Sequence, residues 1–256
     1  MTKPNYYQQT DYKDAEDFKR LDFIVERIQK NCKPESSVLD IGCGNGNIAR
    51  VMGSLGYNVL AVDIDENSIE KAKTLNPFPN VTFQMINAEE FVSVKTFDAI
   101  ICSEVLEHLH DYKKLLRSVH QMLNPEGVFI LTIPNGYGPR EMIITKPVQT
   151  LINMGFEKPL MKVKKALGYG QGTIQSSNPD LTHIQFFSKR GLFKEVRKEN
   201  FELESFRKAD SLERVIPFSM LAKRNYKLQE LDCKMADFLP SYLASGFYSS
   251  WKLRKS

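Results

Sequence analysis

Long apolar runs are missing from this chain, and its cysteines form no pairs. No stretch approaches the roughly 18 to 20 consecutive apolar residues that a membrane span needs. Residues Met1 to Thr10 are polar where a secretory leader would carry its apolar segment, so no leader is expected. The four cysteines, Cys32, Cys43, Cys102 and Cys233, are scattered without a CxxC motif. That removes zinc-ribbon and dithiol redox readings and leaves free thiols in a reducing cytoplasm as the expectation. Excess charge is also scarce: 35 Lys and Arg against 31 Asp and Glu give a net +4. Proteins that hold nucleic acid by phosphate neutralisation concentrate more positive charge than this, so nucleic acid is not the expected partner and any basic patch must be local.

What is present is an alternation of short apolar runs and helical patterns. Phe18, Leu21, Val25 and Ile28 form one apolar stripe, which predicts a helix from Asp14 to Asn31, closed by Lys33-Pro34. Strands are expected at Val38–Ile41, Tyr57–Val62, Val81–Ile86, Phe97–Cys102 and Gly127–Ile133. Helices are expected between them at Asn47–Leu55, at Asp65–Leu75 with Asp65 or Asn67 as cap, and at Asp111–Leu123. This rhythm implies βαβ units and a parallel sheet. It breaks at Pro134 and resumes with a helix at Ser188–Asn200, capped by Ser188, and strands at Phe201–Arg207 and Leu243–Lys252. A doubly wound α/β sheet with an insertion after its fifth strand accounts for the pattern. The expected parts are an N-terminal helical segment (1–35), a core (36–135), an insertion or lid (136–182) and a completion of the sheet (183–256).

The segment Val38-Leu-Asp-Ile-Gly-Cys-Gly-Asn-Gly46 carries the most information. A buried strand runs into three glycines and a helix opens behind them, a turn that brings backbone N–H groups and a helix N-terminus close to a ligand. Gly42, Gly44 and Gly46 give GxGxG rather than the GxGxxG of dinucleotide sites, which argues against NAD. Asp63, about 20 residues after the first glycine, ends the next strand where an acidic side chain takes both ribose hydroxyls, so the ligand is expected to contain adenosine. Cys43 reads as a small loop residue, not a nucleophile.

With Val62-Asp-Ile-Asp65, Asn87-Ala-Glu89 and Phe97-Asp-Ala-Ile-Ile-Cys-Ser-Glu-Val-Leu-Glu-His108 following in order, the chain resembles the class I S-adenosylmethionine-dependent methyltransferases. The resemblance covers roughly Val38 to Pro134. It implies a Rossmann-like, mostly parallel seven-stranded sheet with helices on both faces. It also implies S-adenosyl-L-methionine as cofactor, with Asp40, Gly42 and Gly44 around its methionine part and Asp63 on the ribose. Ile64 would pack on the adenine, Asn87 and Ala88 would meet its edge, and Ser103 would lie beside the cofactor. Many members have Asp at the position of Asn87, whose amide oxygen can still accept from the adenine amino group.

Glu104, Glu107 and His108 follow the fourth strand at i, i+3 and i+4, which on a helical turn places two carboxylates and an imidazole on one face. Such a set either holds a divalent cation, Mg²⁺ or Mn²⁺, with open positions, or leaves His108 to position substrate or take a proton. A similar Glu-x-x-Glu-His element occurs with a metal in ubiquinone-pathway O-methyltransferases and in small-RNA 3′-terminal 2′-O-methyltransferases. By that resemblance His183, in Leu181-Thr-His-Ile-Gln-Phe-Phe-Ser188, is the second histidine, and His108 and His183 are the expected catalytic residues. His110 and His120 read as solvated helix residues.

Residues 136–172 hold six basic residues (Arg140, Lys146, Lys158, Lys162, Lys164, Lys165) against Glu141 and Glu157, interleaved with apolar ones. This suits an anionic amphiphile, a membrane surface or RNA, or else a lid with a solvated face. The functional expectation is a cytoplasmic O-methyltransferase acting on a small or lipid-linked metabolite, with peripheral membrane contact through 136–172 left as an option. The alternatives are RNA terminal 2′-O-methylation and a non-catalytic cofactor-binding partner subunit. The oligomeric state is left open.

Overall fold

The computed structural model describes residues 4–139, 183–211 and 225–255, together with positions 142, 146, 147, 150, 154 and 222. Most of the expected insertion lies outside the described residues. The core elements are α1 (Ala15–Asn31), β1 (Ser37–Ile41), α2 (Asn47–Ser54), β2 (Asn58–Asp63), α3 (Glu66–Leu75), β3 (Val81–Met85), β4 (Phe97–Ser103), α4 (Tyr112–Met122) and β5 (Leu123–Pro134). The C-terminal part adds α5 (Lys189–Lys198), β6 (Phe201–Lys208), α6 (Tyr226–Phe238) and β7 (Gly246–Leu253).

The seven strands form one sheet in the order β3-β2-β1-β4-β5-β7-β6. All neighbours are parallel except β7, which runs antiparallel to both β5 and β6. Alternate strand residues point to opposite faces, and the sheet is coated on both. Val38, Ala99, Ile101, Val128 and Ile130 join the core formed with α1, α2 and α3. Leu39, Ile41, Ile100, Cys102, Phe129 and Leu131 join the core formed with α4 and α5.

Asp65 and Ser188 cap their helices as expected, and Asp111, an expected helix start, proves to be a cap as well. The Asp65 carboxylate accepts from Ser68 N (2.9 Å), the Asp111 carboxylate from Lys114 N (3.1 Å) and the Ser188 hydroxyl from Gly191 N (3.1 Å). His110 is exposed, as expected, but His120 is half-buried with its ring edge-on to Phe201 at 5.7 Å. The four cysteines are free. Among the described residues no helix is long and apolar enough to cross a membrane.

Helix α6 is absent from the sequence reading because its amphipathicity is inverted. Its buried face is Gln229, Asp232, Cys233 and Ala236, while Leu231, Met235 and Phe238 face outward. Gln229 replaces apolar contact with hydrogen bonds: its amide oxygen accepts from Ala15 N (3.0 Å) at the start of α1, and its amide nitrogen donates to Ala222 O (3.1 Å). Gln229→Ala therefore strands two buried backbone groups and is expected to cost about 1–3 kcal/mol in urea unfolding. Phe238→Ser on the outer face should stay within about 0.5 kcal/mol of the parent. The opposite ranking would contradict this packing.

Candidate active site

β1 and β4 are parallel neighbours at the point where the strand order reverses, with Ile41 in register with Cys102. Their C-terminal ends therefore release two loops side by side, in the crevice where open α/β sheets bind ligands. The first is the glycine loop. Gly42 and Gly46 have φ of +69° and +74°, which favours glycine, and a Cβ on Gly42 would stand 2.3 Å from Val105 Cγ2. The glycine loop is thus packed directly on the segment that carries Glu104 to His108.

Asp63, at the end of β2, accepts from Gly44 N (2.7 Å) and Asp65 N (2.9 Å), tying β2 to the loop while keeping carboxylate lone pairs for further donors. Ile64 beside it is 60% exposed, an apolar side chain placed where a flat base can cover it. Met85, paired in register with Asp63, is equally exposed and was not singled out from sequence. Asn87 is half-buried and its Oδ1 accepts from Glu89 N (3.0 Å), while Ala88 packs on the core.

Asp40 is the electrostatic anomaly. It is 1% exposed and its Oδ2 has no hydrogen-bond partner among the described residues. Burial, with the nearby Asp63 charge, pushes its carboxyl up from the ordinary 3.8 to about 8, against a compensating backbone hydrogen bond from Ala49. The same surroundings push the Cys43 thiol well up, by burial first and then by Asp40 and Asp63, so Cys43 is an inert loop residue. Arg20 of α1 also escaped the sequence reading. It is 3% exposed, ion-paired to Asp17 at 2.6 Å, and its Nε has no hydrogen-bond partner among the described residues. The signal was visible as Glu16, Asp17 and Arg20 at helical spacing beside the apolar stripe. Tyr12 is buried, with the Arg20 guanidinium carbon 6.0 Å from its ring centroid. Tyr6 and Tyr7 pack against the core and both phenols donate to the Asp22 carboxylate.

After β4 the chain makes only a short 3₁₀ turn, Leu106–His108. The i, i+3, i+4 face assumed from sequence belongs to an α-helix, and it fails here for one residue. Glu104 adopts a left-handed φ of +59° and its carboxylate accepts from Thr132 Oγ1 (3.1 Å), which also bonds the Ser103 hydroxyl (2.9 Å). Glu107, His108 and His183 do come together, with ligating atoms all within 4.8 Å of one another, and this group does not include Glu104. Glu107 Oε1 lies 3.7 Å from His108 Nε2, and the two imidazole rings are 5.2 Å apart, edge to face. His183 is delivered by backbone: Ile184 N and Gln185 N both donate to Glu107 O, at 2.8 and 2.9 Å.

A sequence profile of the methyltransferase domain matches residues 14–205. The chain belongs to the methyltransferase-domain family. It is 33% identical over 121 residues to the ubiquinone biosynthesis O-methyltransferase of Rickettsia akari (strain Hartford), an alignment covering 45% of this chain and 48% of that protein. It is 37% identical over 119 residues to the mitochondrial ubiquinone biosynthesis O-methyltransferase of Schizosaccharomyces pombe, covering 44% and 43%. The chain thus spans about half the length of the curated relatives it matches. Its fold is shared with an S-adenosylmethionine-dependent methyltransferase of Mesorhizobium loti, with a TM-score of 0.57 at 16% identity over 90% of this chain and 99% of that one. The same holds for a Burkholderia thailandensis N1-methyltransferase solved with S-adenosylhomocysteine, with a TM-score of 0.57 at 15% identity over 95% and 80%. The strand order is that of the class I methyltransferase fold, as the sequence motifs implied.

The residues at the glycine loop fit the family's cofactor. Asp40 supplies a buried acceptor unmatched among the described residues, Asp63 a carboxylate and Ile64 an exposed apolar face, while α1 carries the buried Arg20 paired with Glu16 and Asp17. A carboxyl raised from 3.8 to about 8 binds more protons folded than unfolded between those values, so its contribution to stability falls as pH rises from about 4 to about 8. Asp40→Asn removes that loss. Thermal unfolding without cofactor should show the variant gaining on the parent across this window and holding a constant lead above it. Parallel pH profiles for the two proteins would contradict the assignment.

Proposed function

We propose that this methyltransferase moves the methyl group of S-adenosylmethionine to a hydroxyl oxygen of a small or lipid-linked acceptor. The observation that supports this reading is the packing of the glycine loop on the segment that bears Glu107 and His108, with His183 brought alongside. Proximity of cofactor and acceptor site is the first requirement of an in-line displacement. The names of the relatives aligned over 121 and 119 residues, ubiquinone biosynthesis O-methyltransferases, favour oxygen as the acceptor atom.

In this reading Arg20 faces the cofactor's carboxylate, Asp63 its ribose and Ile64 its adenine. The acceptor hydroxyl sits against His108 and His183. The hydroxyl oxygen forms the new C–O bond as the C–S bond breaks, its proton passes to an imidazole nitrogen, and S-adenosylhomocysteine leaves. Buried Glu107 orients His108 and balances the charge that the imidazole takes up. Glu107, His108 and His183 are also the residues that would hold a divalent cation. One carboxylate with two imidazoles suits Mn²⁺ better than the oxygen-preferring Mg²⁺. When bound, such an ion supplies Lewis acidity that lowers the cost of ionising the hydroxyl.

The test is methyl transfer from labelled cofactor to catechol, with and without Mn²⁺. Glu107→Gln and the His108→Ala, His183→Ala double variant should each lose about 100-fold in turnover, a size typical of lost metal-site or acid–base support. S-adenosylhomocysteine affinity should stay within about threefold, since neither change touches the glycine loop. Full turnover by the double variant would overturn these roles.

A further inference from the structure

The stretch before α1 takes no part in the chemistry described so far, yet it is fastened at both ends. Asn5–Gln9 form a 3₁₀ turn, held to α1 where the Tyr6 and Tyr7 phenols donate to the Asp22 carboxylate and the Tyr7 ring stacks on Phe18 at 4.2 Å. The other end is held to the glycine loop. Asp11 N donates to Asn47 Oδ1 (2.9 Å), and Arg50 of α2 donates from Nε to Gln9 O (3.0 Å) and from Nη2 to the Asp11 carboxylate (3.4 Å). The same guanidinium also bonds the loop itself, from Nη2 to Asn47 Oδ1 (2.8 Å) and from Nη1 to Asn45 O (2.7 Å).

Asn45 O belongs to the peptide that joins Asn45 to Gly46, whose N–H donates to Cys43 O (2.9 Å). Carbonyl and N–H point to opposite sides of a planar peptide, so Arg50 and Cys43 fix this one from both sides. From β2, Val62 O accepts from Gly42 N and Cys43 N, and the Asp63 carboxylate accepts from Gly44 N. The end of β2 thus holds the first half of the loop and Arg50 the second. Past Asp11 the stretch delivers Tyr12, whose ring lies 6.0 Å from the Arg20 guanidinium carbon. A buried charge is a costly way to fill this space. Arg50 is 4% exposed on a helix whose other buried residues include Ile48, Ala49, Val51 and Met52, and exposed Asp11 is a weak counter-charge for it. An apolar side chain would pack there at lower cost, and what a planar fork of donors adds is direction.

We propose that Arg50 is a positioning residue for S-adenosylmethionine. It holds the turn at 45–47 and the strap at 9–12 as one unit, so that the loop and the surroundings of Arg20 are in place before the cofactor arrives. The inference rests on the cofactor reading of the glycine loop and of Arg20, and not on the acceptor or the atom methylated. Arg50 acts through the loop and touches no reacting atom. Such preorganisation shows as affinity, because an unpinned loop has to be ordered at the moment of binding.

The test titrates S-adenosylhomocysteine calorimetrically into the full chain, beside urea unfolding and amide hydrogen exchange of the free protein. Arg50→Met keeps the apolar stem and should bind about tenfold more weakly, with faster exchange at residues 9–12 and 44–47 that the ligand slows again. Arg50→Lys puts a point donor in place of a fork and should fall between the parent and Arg50→Met. The Tyr6→Phe, Tyr7→Phe double variant frees the far end of the strap, keeps both rings, and should weaken binding about threefold. Added to Arg50→Met it should cost little more than Arg50→Met alone, since both release the same unit. Should Arg50→Met not fold, Arg50→Lys takes its place in every comparison. Parental affinity in the Arg50 variants, with a loss in urea stability alone, would make Arg50 a packing residue and overturn the inference. Full additivity of the two losses would overturn it as well. No binding by the parent would overturn the cofactor reading and this inference together.

Discussion

The parallel pairing of β1 with β4 is the constraint on which the rest of the site depends. It aligns Ile41 with Cys102, so the chain leaves both strands at the same edge of the sheet and at the same height. The glycine loop leaves the first exit and the Glu104–His108 segment leaves the second. Asp63 and His183 are tied to them by hydrogen bonds that Gly44 N donates to Asp63 and that the backbone of residues 184 and 185 donates to Glu107 O. The two loops are locked together where Gly42 meets the Val105 side chain without room for a methyl group. A sheet that is buried on both faces resists sliding by one residue, because every side chain would change face. That resistance is what holds the two loops at a fixed separation.

Around that edge the charges are arranged unevenly. Asp40 and Asp63 stand close enough for the charge of one to raise the carboxyl of the other, and Arg20 is buried nearby among carboxylates of its own helix. A free protein carries this as a cost, since a buried carboxyl without a full set of partners is destabilising. A cofactor with both a cationic and an anionic end relieves it from two sides. Glu104 shows the same economy at the second loop: its left-handed backbone turns the carboxylate toward Thr132, which leaves Glu107 and the two histidines as a separate group.

The fold was legible in the sequence wherever hydrophobic period and capping agreed. Asp65 and Ser188 cap the helices they were expected to cap, and the strands from β1 to β5 lie within a few residues of their apolar runs. The cofactor loop was legible because glycine spacing and a following acidic residue are local signals. Helix α6 was not, because Gln229 and Asp232 take the buried side and periodicity points to the wrong face. The place of Glu104 was not, because a 3₁₀ turn and a positive φ leave no mark in the pattern of residue types. Arg50 was not, because two of its partners, Gln9 and Asp11, lie in the stretch before α1 and no local spacing links them to it.

Binding of S-adenosylhomocysteine to the purified chain, read as a mass increment by native mass spectrometry, tests the central claim most directly. One equivalent per chain is expected, lost when Asp63 is replaced by Ala and kept when Glu107 is. Absence of any bound equivalent at saturating ligand, confirmed by calorimetry in solution, would contradict it.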